Sequence, residues 1–150
     1  MKYLRFLKDN LDKVGSIIPC TENEIRELEF KLGVNLPKSY REYLLILGKD
    51  SGDLFAGSFV SSKDLLFFKN EAVKILIGNN FKKSLEPQDL VFLIHQGYQF
   101  MFFKCDKDEE DPKIYFYDEC KGQTDFEVIA PSFSSFIEKV FNDRNSTLLR

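Results

Sequence analysis

The stretch from Thr21 to Gly48, TENEIRELEFKLGVNLPKSYREYLLILG, constrains its own folding more tightly than any other part of the chain. Thr21 is followed three residues later by Glu24, so hydroxyl and carboxylate can each satisfy a free backbone N–H at a helix start, the reciprocal capping box. Ile25, Leu28 and Leu32 then share one face, Glu22, Arg26, Glu27 and Lys31 stay in water, and Gly33 can take the left-handed conformation that ends a helix. Pro37 supplies the fixed φ of a first helical position, and Tyr40, Tyr43, Leu44 and Leu47 repeat the apolar spacing up to Gly48. The pattern predicts two helices packed against each other.

The flanking segments extend this frame. Leu4, Leu7, Leu11 and Val14 predict an amphipathic helix over 3–14, ended by Gly15. After Gly48, turn residues lead to a short strand at Gly57–Val60. Ser61 or Ser62 then caps a helix in which Leu65, Leu66, Phe68, Ala72, Ile75 and Leu76 are apolar, with a break near Phe67 left open and a stop at Gly78–Asn80. The second half reads as strands. Val91–His95 and Tyr98–Cys105 pair around Gln96 and Gly97, and Lys113–Tyr117 and Phe126–Ile129 complete a meander of about four strands. Ser132 caps a last helix with Phe133, Phe136, Ile137, Val140 and Phe141 in one stripe, and 142–150 is expected to fray. The order of elements predicts an α+β fold, an antiparallel sheet of about four to six strands with helices packed mainly on one face. One domain is expected across 1–150, with its core in 21–141.

Sixteen phenylalanines and no tryptophan make aromatic burial the dominant expected contribution to the core. The longest apolar runs, Val91–Ile94 and Phe100–Phe103, fall far short of the ~20 residues that cross a bilayer, so no membrane span is expected. Charges inside the apolar N-terminal segment argue against a secretory signal and predict a cytoplasmic protein. Cys20, Cys105 and Cys120 form no CxxC or Cys/His cluster and read as reduced thiols, Cys20 as a core residue beside the Thr21 cap.

Signatures of catalysis are lacking. The chain has no glycine-rich phosphate loop, no GxSxG elbow, no HExxH and a single histidine, His95, which reads as structural or surface at a strand end. Asp118 and Glu119 are strand neighbours pointing to opposite faces, a poor acid/base pair. No enzyme activity and no cofactor are expected. The run Asp106, Asp108, Glu109, Glu110 and Asp111 lacks the central glycine and register of a calcium loop, so no metal site is expected either. It reads first as a solvated hairpin loop. A wider count gives a second reading, because Glu86–Glu127 holds eleven acidic and four basic residues, while the rest of the chain is net basic. A surface built from that segment would steer a basic protein partner and repel nucleic acid. The candidate contacts are those five acids with Asp118 and Glu119, and Tyr98, Tyr115 and Tyr117 as aromatic anchors, although the tyrosines read first as half-buried sheet residues.

The string EI…LE…LGVNLPKSYREYLLILG resembles the opening signature of the SUKH superfamily, and DLVFLI, GYQFMFF, KIYFYDE and SFSSFIEKVF follow in the family's order through Phe141. That superfamily contains bacterial immunity proteins and a fungal regulator of cell-wall synthesis. The resemblance implies an immunity protein, a monomer or weak dimer that binds a cognate toxin domain in the cytoplasm and blocks its active site without chemistry. Many such toxins are nucleases and therefore basic, which agrees with an acidic partner-facing surface. The alternative the resemblance leaves is a constitutive interaction module nearer to the fungal branch. It transfers no binding residues, because the family varies most at that surface.

Overall fold

The computed structural model describes residues 1–144 of the chain. Its first organising unit is the capped pair. Helix α2 spans Glu22–Leu32 and starts with both halves of the capping box, the Thr21 hydroxyl accepting from the Glu24 N–H at 3.2 Å and the Glu24 carboxylate accepting from the Thr21 N–H at 3.3 Å. Gly33 ends it at φ 68°, the left-handed region that glycine enters without strain. Helix α3 spans Lys38–Leu47 directly after Pro37, and Arg41 ties the two helices by donating to Glu22 and Glu29.

The N-terminal segment departs from the helix expected over 3–14. It forms a single turn, α1 (Arg5–Lys8), and a separate 3-10 turn at Leu11–Lys13. Asn10 is the physical reason: its side-chain amide donates to the Phe6 carbonyl and takes the acceptor that a continuing helix would use. The apolar residues reach the core regardless, with Leu4, Leu7 and Val14 fully buried.

Strands β1 (Ser58–Phe59), β2 (Asp89–His95), β3 (Gln99–Lys104), β4 (Ile114–Asp118) and β5 (Glu127–Ala130) form one antiparallel sheet in sequence order. The β2–β3 turn carries Gln96 and Gly97 at φ 50° and 77°, which places Tyr98 in the turn and not in the strand. Between β1 and β2, helix α4 runs unbroken from Leu65 to Gly78, through the break left open at Phe67. Helix α5 (Phe133–Asn142) begins at Ser132, whose hydroxyl accepts from the Ser135 N–H. Of the tail expected to fray over 142–150, Asn142 closes α5, and 145–150 lie outside the described residues.

Cross-strand pairing divides the sheet residues by face. Phe103 and Phe92 point toward α3 and α5, where Tyr40 and Phe133 meet both rings at centroid distances of 5.1 to 6.3 Å. Phe6 of α1 packs edge-on to Phe141 of α5, closing that layer. The opposite face carries Phe100, Phe102, Tyr115 and Tyr117, on which Phe126 and Phe81 pack. There α4 lies over the β2 side of the sheet, with Lys69 donating to the Glu86 carbonyl. No helix among the described residues is long and apolar enough to cross a membrane.

Candidate protein-interaction surface

Strands β3 and β4 carry the predicted contact residues to opposite ends of the sheet. Asp106, Asp108, Glu109, Glu110 and Asp111 occupy the loop after β3, whereas Tyr98, Asp118 and Glu119 lie where β3 begins and β4 ends. The four steps of β4 alone separate these ends by roughly 13 Å.

The loop is internally committed at one side. The Glu110 carboxylate accepts from the Tyr3 hydroxyl at 2.5 Å and pairs with Lys38 at 2.9 Å, while its carbonyl accepts from the Ser39 N–H. Those donors hold its pKa down to about 2, and the same bond pushes Tyr3 up to about 12. Asp111 accepts from both the N–H and the hydroxyl of Ser134, so it caps the first turn of α5. Asp106, Asp108 and Glu109 stay exposed, with Asp106 and Glu109 accepting backbone N–H groups within the loop.

At the other end Asp118 is buried, accepting from the Gln99 amide at 2.9 Å and from the Cys120 N–H at 2.8 Å. Tyr117 is buried as well, and burial raises its hydroxyl pKa. Tyr115, in contrast, is the second residue of β4 and lies nearer the acidic loop, where it stacks half-buried on Phe102 with Lys104 above both rings. Of the predicted residues at this end, Glu119 is exposed and Tyr98 half-exposed.

Glu119 borders a feature the sequence did not single out. A groove of about 600 Å³ runs along one side of α4, with Phe59, Phe67, Phe68, Ile75 and Ile94 as its apolar lining. Its polar members are Asp64, Glu71, Lys74, Asn79 and Glu119. Lys74 is paired with Glu71 at 3.3 Å, and Glu119 accepts from the Asn79 amide at 2.9 Å. Three carboxylates against one ammonium leave the rim acid-weighted.

The walls stand open to solvent. Phe59 is 61% exposed and Phe67 64%; Ile77, on a flank of α4 outside the groove, is 71% exposed. Leu66 and Val73 share that flank with Ile77, Leu66 beside Leu28 of α2, so α4 carries apolar residues beyond its sheet face. Exposed apolar side chains grouped in this way make the surface a candidate for contact with another molecule. The signal was present in the sequence as Leu66, Phe67, Val73 and Ile77 lying off the stripe that reaches the core.

The single histidine lies elsewhere, on the α3/α5 side of the sheet. The His95 ring is buried, with Nδ1 2.9 Å from the Ser58 hydroxyl, and burial lowers its pKa. Ser58, His95, Gln99 and Asp118 form one cross-strand row over β1 to β4, with Gln99 standing between the ring and the carboxylate. No cluster of three or more His, Cys, Asp or Glu able to hold a metal occurs among the described residues. The three thiols are free, and burial pushes Cys105 up to about 12, far from a reactive thiolate.

Comparison with protein families finds that the model described as the SMI1 / KNR4 family (SUKH-1) matches residues 19–139. Comparison with curated proteins yields no match.

Proposed function

This chain belongs to the SMI1 / KNR4 family (SUKH-1), and from that premise we propose that it is an immunity protein that neutralises a cognate toxin domain by binding over its active site. Membership itself suggests a general protein-interaction or immunity role. The observation that carries the finer reading is the open, acid-rimmed apolar surface of α4. Apolar area supplies affinity, and carboxylates at the rim select a basic partner and speed its approach. A nuclease holds a polyanion and must present basic groups, so such a surface competes for the groups its substrate needs. The protein would act in the cytoplasm and by occlusion alone. Asp106, Asp108 and Glu109 form a second, outlying acidic patch, and Tyr98 lies in the turn beside the groove.

Co-expression with a cognate toxin domain tests the reading, and the reading frames beside this gene are where it is to be sought. Rescue is expected from the parent and from a D106N/D108N/E109Q variant, and not from a D64N/E71Q/E119Q variant that still folds. Loss with the loop variant alone would move the interface to the β3–β4 loop. A folded parent that rescues nothing would remove the immunity role and favour a constitutive interaction module.

A further inference from the structure

The groove has a periodicity of its own. The residues that α4 and the turn before it contribute are Asp64, Phe67, Phe68, Glu71, Lys74, Ile75, Gly78 and Asn79. They recur at offsets of three, four and seven, the spacing of a seam along which one helix receives another. Its acids follow the same beat. Asp64 stands at the start of α4, Glu71 seven residues on, and Glu119 is held at the far end by Asn79. Seven helical residues rise about 10 Å, so the rim presents a carboxylate about every two turns over the ~21 Å length of α4.

We propose that the groove receives an amphipathic helix of the partner. Its apolar stripe seats on Phe59, Phe67 and Ile75, and its Lys or Arg residues, one heptad apart, meet Asp64, Glu71 and Glu119. This rests on reading the α4 surface as partner-binding and adds the form and charge pattern of what binds. An extended strand would put two residues between successive acids and would be drawn toward a backbone edge; here the exposed edge strand, β1, is only Ser58–Phe59. A second copy of this chain is disfavoured by charge, because it would bring the same acid-weighted rim against itself, on a chain of net charge −3. Lys74, the rim's cation, pairs with Glu71 in an exposed contact that a partner's Lys or Arg can replace, and it leaves the rim net acidic with Asp64 and Glu119.

The test uses the full chain, isotope-labelled, and a synthetic helical peptide of about 21 residues with leucine on one stripe and lysine or arginine flanking it one heptad apart. Two companion peptides carry glutamate at the flanking positions, or the first composition in scrambled order. Only the first peptide should move the amide signals of Phe67, Glu71, Ile75, Ile94 and Glu119. The D64N/E71Q/E119Q variant should bind it about tenfold more weakly, the sum of a few exposed ion pairs, and added salt should erase most of that difference. Equal binding of the glutamate peptide would overturn the charge pattern, and equal binding of the scrambled peptide would overturn the helix. Signals that move on raising the protein concentration alone would assign the groove to a second copy. Binding of the first peptide without toxin rescue would sink the immunity role and leave the helix-binding groove, whereas rescue with no peptide binding would do the reverse.

Discussion

His95 and Glu110 show how one residue's surroundings decide what it can do. His95 is the chain's single histidine, and the sheet takes it out of water beside Ser58, so its neutral form is the one the fold accommodates. Its folded pKa lies below the value of about 6.5 for a histidine in the unfolded chain, so the unfolded state binds more protons as the pH falls. The contribution is present in full above that unfolded value and is lost as the pH falls through the folded one. Melting temperatures measured from pH 7.5 down to pH 5 are expected to drop in the parent and to drop less in His95→Gln; equal slopes would show that another group controls this range. Glu110 works in the same direction at lower pH, because its bonds to Tyr3 and Lys38 favour the carboxylate. The row from Ser58 to Asp118 thus makes polar side chains part of the interior, each held by a neighbour on the next strand.

Helix α5 shows what the acidic loop does for a whole element. The Asp111 carboxylate satisfies N-terminal groups of that helix and places a negative charge at its positive end. Asp111→Ala should therefore lower stability by about 1 to 3 kcal/mol, while Asp108→Ala, at an exposed position, should stay within about 0.5 kcal/mol of the parent in chemical denaturation. Equal losses would mean that the loop acts only through its net charge. This division was not legible in the sequence, because the donors, Ser134, Tyr3 and Lys38, lie far along the chain from the acids they bind. The capped pair α2 and α3 was legible, since each of its signals acts within a few residues: Thr21 with Glu24, Gly33, and Pro37 before Lys38. Between these extremes stands α4. Its existence could be read from Ser61, Ser62 and the apolar run, but periodicity cannot say which of several apolar stripes the sheet will cover. Phe68 and Leu76 went to the core and Phe67 and Ile77 to solvent, an outcome set by the placement of β2. The N-terminal segment reads as one amphipathic helix outside a core set at 21–141; Leu4, Leu7 and Val14 are nevertheless buried, and burying them does not require the turns between them to be continuous.

At the scale of the whole molecule, the sheet separates two aromatic layers. One is centred on Tyr40, Phe92, Phe103 and Phe133, and the other on Phe100, Phe102, Tyr117 and Phe126. The acid-weighted groove lies on the second side, and the first is closed by α1, α3 and α5. Sequential strand order has a further consequence, which concerns time. Each of β3, β4 and β5 pairs with the strand just before it in the chain, across a turn or short loop, so little loop-closure entropy must be lost before each contact is gained. Contacts such as Tyr3 with Glu110 span most of the chain and can close onto a sheet already formed. Stopped-flow refolding is expected to be dominated by a phase on the order of milliseconds to tens of milliseconds; a dominant phase of many seconds would refute this. On the immunity reading proposed above, protection would begin once the chain has collapsed, and a meander lets that moment follow synthesis closely.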